Sequence, residues 1–514
     1  MPSGPRSADA VIREVRIVPI AGSTCPPPGL VDLRIRDGVV LEVGTKLKAH
    51  PGEAIHEGHG RWALPGLWDA HVHMGQWSAS TVRLDLTGTT NEAEARAVVA
   101  HHVATLPPGE DVIVGFGHRT ATWPTQPTVA ALDEVSGEHA VVLISGDAHH
   151  AWMNTRALTM LGLPPHEGVV VEQEWFDVFP MLAQIPSLAA KADEGYRRAL
   201  QHAASRGVVG VVDLEFAVGY RDWPLRFAGG PGRPALDLLR VRTATYPDGL
   251  AGAIEAGLAS GDPLDGCEGL VTMGPLKIIT DGSLNTRTAY CCEPFADGDE
   301  LPEPCGTQNV APHELRELLT QARAAGLEVA VHALGDAAVR DALDAMEITG
   351  ARGTIEHAQL MRWEDIPRMG ALGVRASVQP AHLWDDRDVS RQCWPDRIDR
   401  CFPFRSMLAS GVTLALGSDA PVSPLDPWMA MAAGVHRSND ERPPWIPQQA
   451  MTVAEALAAS LDGQGTVGVG SRGDVVLLDQ DPLLVPEDSR EACEALLSMQ
   501  VAATFLAGRL TYSG

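Results

Sequence analysis

Between residues 67 and 418 the chain alternates short apolar, β-branched runs with helical stretches, and no other feature constrains its fold as strongly. Strands that alternate with helices favour a parallel sheet joined by crossover helices. Eight strand candidates can be counted, at 67–73, 208–213, 238–243, 276–280, 328–332, 353–357, 375–379 and 412–418, with helical stretches such as 313–325 and 336–345 filling the gaps. Eight is the number that closes a (β/α)8 barrel. Two further strand-like runs, 112–117 and 141–144, fall between the first two candidates. That stretch, about 80–190, is too long for a loop and is expected to be an insertion domain.

The two ends of the chain have a different character. Val11-Ile12-Arg13-Glu14-Val15-Arg16-Ile17 and Leu33-Arg34-Ile35-Arg36-Asp37-Gly38-Val39-Val40 alternate apolar and polar residues, and Asp37-Gly38 marks a hairpin turn. Gly473-Asp474-Val475-Val476-Leu477-Leu478 and the run 503–510 repeat the pattern near the C-terminus. Strand-rich ends around a long middle suggest one small β domain built from both. The expected fold class is therefore α/β: a (β/α)8 TIM barrel at 61–465, a composite β-sandwich from 1–60 plus 466–514, and the insertion at 80–190 after the first barrel strand.

At 514 residues and 45% hydrophobic content the chain can bury a core of that size. Its formal charge of −26 argues against nucleic acid or an anionic membrane as a partner. No apolar run approaches the roughly 18 residues of a membrane span. The start, Met1-Pro2-Ser3-Gly4-Pro5-Arg6, lacks a charged-then-apolar leader, and the eight cysteines contain no Cys-x-x-Cys. The expectation is a reduced, cytoplasmic protein whose partners are a small-molecule substrate and, in assembly, a second copy of the chain.

Barrel active sites lie at the C-terminal ends of the strands, and the metal-ligating residue types fall there. His71 and His73 are two apart, so in a strand both rings face one side and can reach one ion. His332 ends Val329-Ala330-Val331-His332, His357 ends Thr354-Ile355-Glu356-His357, and Asp419 follows Leu414-Ala415-Leu416-Gly417-Ser418. Singly, each reads more simply as a hydrogen-bonded rim residue. Jointly, four histidines and an aspartate at four of eight strand ends point to a metal site. Lys277 is one of only four lysines and stands inside Leu276-Lys277-Ile278-Ile279, where a buried ammonium is costly. Burial lowers a lysine's pKa, and the neutral amine can take up carbon dioxide as a carbamate able to bridge two metals. The alternative is a buried Lys277 paired with Asp281.

At this point the sequence resembles the amidohydrolase superfamily, specifically its YtcJ-like branch, which includes N-substituted formamide deformylases. The resemblance rests on Leu64-Pro65-Gly66-Leu67-Trp68-Asp69-Ala70-His71-Val72-His73, Lys277-Ile278-Ile279-Thr280-Asp281-Gly282-Ser283-Leu284, His332-Ala333-Leu334-Gly335-Asp336, Ile355-Glu356-His357-Ala358-Gln359, Ser377-Val378-Gln379-Pro380 and Gly417-Ser418-Asp419-Ala420-Pro421-Val422, in family order. Asp147-Ala148-His149-His150-Ala151-Trp152 departs from an insertion motif that normally has Gly where Ala148 stands.

The resemblance implies a two-metal site: His71, His73 and Asp419 on one ion, His332 and His357 on the other, carboxylated Lys277 between them. Nitrogen and oxygen ligands without thiolates suit zinc, with manganese or another first-row ion as alternatives. A metal-bridging hydroxide would attack an amide carbonyl, with Asp419 as general acid/base. Asp69 is expected to support ligands rather than bind metal. Pocket candidates are Arg287 for a substrate oxygen, His149 and His118 from the insertion, Gln379, and Trp77, Trp123, Trp152 and Trp384 as walls. His382 is a candidate donor to the oxyanion. The implied activity is metal-dependent hydrolysis of a non-peptide carbon–nitrogen bond, an N-acyl or N-formyl amide. Cyclic-amide hydrolysis or deamination on the same scaffold, and a metal-free scaffold without catalysis, are the alternatives. Deaminases of this fold commonly lack the bridging lysine, so Lys277 counts against them.

Overall fold

The computed structural model describes residues 8–106, 111–120, 123–146, 150–216, 218–229 and 235–514. Five strands precede the barrel: β1 (Ala10–Ile17), β2 (Val31–Arg36), β3 (Val39–Gly44), β4 (Ala54–Glu57) and β5 (Trp62–Pro65). The first barrel strand is β6 (Leu67–Val72), and the segment after it carries β7 (Leu84–Asp85), β8 (Val112–His118), β9 (Ala140–Ser145), β10 (His150–Met153) and β11 (Val170–Val171). The barrel resumes with β12 (Val208–Asp213), β13 (Arg240–Thr245), β14 (Val271–Ile279), β15 (Val329–Ala333), β16 (Gly353–His357), β17 (Arg375–Val378) and β18 (Leu414–Leu416). The chain closes with β19 (Val475–Leu478), β20 (Val501–Leu506) and β21 (Arg509–Ser513).

Among the described residues, the barrel sheet has eight strands in the order β18-β17-β16-β15-β14-β13-β12-β6, and every neighbouring pair is parallel. Helices such as Pro312–Ala324 and Asp336–Thr349 return the chain between them. The seam between β6 and β18 is closed by a parallel bridge between Val72 and Ala420 and by backbone bonds from Asp419 N–H to His71 O (2.7 Å) and from His73 N–H to Ala420 O (3.0 Å). Gly417 permits this approach: a Cβ there would lie 2.8 Å from both the Cβ and the backbone nitrogen of His71.

Both ends of the chain share one sheet, in the order β21-β20-β19-β5-β1-β2-β3, with β4 also pairing β1. β1 serves two sets of partners because its register slips between Ile12 and Val15, where Glu14 has φ 52°. That bulge lets its first half pair β2 and β4 and its last residues pair β5. Asp37 and Gly38 both take positive φ (50° and 74°), as a two-residue hairpin turn requires. Ile12, Leu33 and Ile35 from one end pack with Val475, Leu477 and Phe505 from the other in a single core.

A second compact unit spans Met74–Ala199. Its sheet runs β11-β10-β9-β8-β7 and buries apolar residues on both faces, one set centred on Trp175 and the other on Trp123 and Trp152. Among the described residues no helix is long and apolar enough to cross a membrane.

Candidate metal centre

The barrel brings the sequence-selected ligands to one end. His71, at the end of β6, is 1% exposed, and its Nδ1 lies 2.7 Å from Glu356 Oε2 on β16. Its other nitrogen, Nε2, is 3.4 Å from Asp419 Oδ1, and His73 Nε2 is 3.3 Å from the same oxygen. The rings of His71 and His357 have centroids 5.0 Å apart, and those of His332 and His357 4.5 Å. Ligand atoms of His71, His357 and Asp419 all lie within 4.8 Å of one another. His357 (φ 69°), Ala358 (φ 44°) and Asp419 (φ 58°) hold left-handed backbone, a strained conformation for such residues.

Burial works against a charge on three of these imidazoles. Burial, joined by the charge of Lys277, lowers the pKa of His71 and takes His332 to about 3. Burial and the neighbouring His332 push His357 well below its ordinary value. His73 goes the other way, because Asp419 and Glu215 outweigh its burial. Burial would raise Asp419, but His71, His73 and His357 hold it well below the usual carboxylate range.

Neutrality has a geometric consequence at His71. In the neutral tautomer that donates from Nδ1 to Glu356, Nε2 presents a lone pair to a carboxylate oxygen 3.4 Å away. Two acceptors facing each other are repulsive unless a cation lies between them. The donor set therefore fits a divalent metal ion, with nitrogen and oxygen atoms and no thiolate.

Lys277, 1% exposed on β14, has no hydrogen-bond partner for Nζ among the described residues. Burial lowers its pKa, with Glu356 and Asp419 working against the shift. The alternative pairing with Asp281 does not form. Asp281 instead accepts backbone N–H groups from Tyr290 (2.9 Å), Leu334 (3.0 Å) and Gly335 (2.9 Å), bracing the turn after β15. His332 Nε2 lies 3.1 Å from Gly282 O; as a donor there, it leaves Nδ1 free for a ligand. Asp69 accepts from the backbone of Ser418 (3.0 Å) and His71 (3.1 Å), so its carboxylate pins the segment past β18 that carries Asp419.

The other pocket candidates divide. His382 Nε2 is 3.8 Å from Asp419 Oδ2, with its ring stacked toward His357. Gln379 is buried and donates to Ser377 O at 3.3 Å. Arg287 is held by Asp297 (3.1 Å) and the carbonyls of Leu284 and Asn285, so its guanidinium braces its own loop. Trp123 is a core residue of the second unit, edge-on to Trp152 with its indole N–H on Thr89 O (3.1 Å), and Trp77 is buried in the helix Met74–Ser80. His149 lies outside the described residues. Glu356 is the participant the sequence reading passed over. It stands beside His357, and neighbours in a strand point to opposite faces, so only the left-handed turn at His357 lets both serve one site.

Residues 58–512 match the sequence profile of the amidohydrolase family. Protein LONG AFTER FAR-RED 3 of Arabidopsis thaliana is 29% identical, over 93% of this chain and 88% of its own. The N-substituted formamide deformylase of Arthrobacter pascens is 24% identical, over 93% and 94%. An uncharacterized metal-dependent hydrolase of Pyrococcus horikoshii OT3 superposes with a TM-score of 0.76 at 25% identity, covering 93% of this chain and 98% of that one. A profile matched from ahead of the first barrel strand through the terminal sheet, on a barrel with candidate metal ligands at its strand ends, settles the kinship: the chain belongs to the amidohydrolase family.

Proposed function

We propose that this member of the family is a metal-dependent hydrolase of non-peptide carbon–nitrogen bonds, acting on an N-acyl or N-formyl amide. The observation that carries the reading is the face-to-face placing of two acceptors, His71 Nε2 and Asp419 Oδ1, beside a buried lysine without a partner among the described residues. His71, His73 and Asp419 would hold one divalent ion, and His332 and His357 a second. Lys277, as its carbamate, would supply oxygens to both. The N-substituted formamide deformylase among the relatives supports an amide as the substrate.

Bound ions would polarise the carbonyl and make water a nucleophile near neutral pH. The chain's own groups do the rest. Asp419 Oδ2 faces His382, away from the two imidazoles at Oδ1, and is the oxygen that takes the proton from water and returns it to the leaving nitrogen. His382 Nε2 is buried, has no hydrogen-bond partner among the described residues, and can donate to the oxygen of the tetrahedral species. Glu356 keeps the proton of His71 on Nδ1, and Asp69 fixes the strand end that presents Asp419.

The test is metal analysis of the purified protein, then a hydrolysis screen over N-formyl, N-acetyl and longer N-acyl amides with zinc or manganese added. Up to two ions per chain and turnover of at least one amide class are expected. Asp419→Asn should lower kcat by about 10²–10⁴, as loss of a general acid–base does. Protein that binds no divalent metal, or an Asp419→Asn enzyme with normal kcat, would overturn the reading.

A further inference from the structure

Phe216 is 62% exposed, although the residues that lead into it are anchored. Asp213, at the end of β12, accepts the backbone N–H of Glu215 (3.2 Å) and the indole N–H of Trp223 (2.7 Å). The N–H of Phe216 itself donates to Glu215 Oε1 at 3.0 Å. Its ring lies nearly parallel to two others, at 4.8 Å and 28° to Tyr246 and at 5.8 Å and 16° to His73. Tyr246 is anchored in turn by its hydroxyl, which donates to Leu214 O at 2.8 Å. Val422, 51% exposed, follows β18, with its N–H on Asp419 O at 2.8 Å. β12 and β18 are the strands on either side of β6, so both exposed apolar groups flank the strand that carries His71 and leads into His73.

A fixed aromatic ring left in water beside a candidate ligand is a surface whose covering by an apolar group is favourable. We infer that Phe216, backed by Tyr246, is a platform for an apolar substituent, best an aromatic ring, on the amide cleaved at the candidate metal centre. The inference rests on the amide-hydrolase reading of that site. The ring is carried on either the acyl or the nitrogen side of the scissile bond. Offset stacking on Phe216 gives an aromatic substituent an advantage over an aliphatic one of equal area.

The experiment measures binding of two ligand pairs, phenylacetate against acetate and 2-phenylethylamine against ethylamine, to the full-length protein and to its Phe216→Ala and Phe216→Tyr variants. Kinetics on N-methyl-2-phenylacetamide, N-methylacetamide, N-(2-phenylethyl)formamide and N-ethylformamide accompany it. Wild type should favour the ring-bearing member of one pair by about tenfold, equivalent to about 1.4 kcal/mol. Phe216→Ala should remove most of that preference, Phe216→Tyr should keep it, and the pair that responds identifies the side carrying the ring. The ratio of kcat/KM within the corresponding amide pair should fall in step. No ring preference in wild type, or an equal preference in Phe216→Ala, overturns the platform. A preference that depends on Phe216 in a protein that cleaves none of the amides leaves the platform standing and removes the amide-hydrolase reading. Cleavage without ring preference does the reverse.

Discussion

A neutral His71 has one proton for two ring nitrogens, and Glu356 favours its place on the nitrogen that faces the carboxylate. Such carboxylate–imidazole pairs orient a ligand and raise its basicity. Here the carboxylate is 1% exposed and also accepts from Thr354 Oγ1. Glu356→Gln retains an acceptor oxygen but loses the charge, and Glu356→Ala loses both. Affinity for zinc, read by competition with a chromogenic chelator, should fall in that order, by about 10- to 100-fold for the alanine variant. An unchanged affinity would mean that Glu356 only packs the barrel interior. Of the pocket residues expected from sequence, His382 reaches Asp419, whereas Arg287 and Trp123 are engaged within their own loop and core. Residue type marked them all equally.

The closing of the barrel depends on how nearly β18 can approach β6. Gly417 stands opposite His71, where a methyl group would meet the His71 backbone at 2.8 Å. Gly417→Ala should push the strands apart, at a cost of about 1–3 kcal/mol typical of overpacking. Because Asp419 follows two residues later and bonds through its N–H to His71 O, metal content should fall together with Tm. A variant with wild-type Tm and metal content would show that the seam has slack. The boundaries of β12 and β16 match the sequence expectation, since a β-branched run bounded by turn residues is a local signal. β14 begins at Val271, earlier than the expected 276, because pairing with β13 recruits residues around Gly274 and Pro275 that carry no strand propensity.

At the scale of the whole chain, the terminal sheet and the barrel are joined by ion pairs. Arg240 on β13 donates to both oxygens of Asp474 (2.7 and 3.0 Å), which is fully buried and also accepts the N–H of Ala507 at 2.8 Å. Arg509 near the C-terminus is paired with Asp237 at 3.0 Å, just before β13. Asp474→Ala leaves a guanidinium and a buried amide without their acceptor and should destabilise the protein by about 3 kcal/mol. Denaturant midpoints would check this, while metal bound per folded chain should stay at the wild-type level. Equal midpoints would mean that the terminal sheet is not coupled to the barrel through this pair.

Local periodicity was enough to reveal the eight strands, the hairpin at Asp37-Gly38 and the ordering of histidines, lysine and aspartate at strand ends. Each of these depends on residues a few positions apart, and a strand's period of two fixes the face on which they emerge. Pairings across the closed sheet were of another kind. Glu356 meets His71 across 285 residues, Asp69 meets Ser418 across 349, and Phe216 comes beside His73 and Tyr246 from a separate loop. Such contacts are set by strand register and barrel closure, and by left-handed turns at His357 and Asp419 that break the alternation. Sequence determined which groups stand at the barrel's mouth; only the closed tertiary structure decided which of them pair with one another, which converge on the candidate metal centre and which stand exposed.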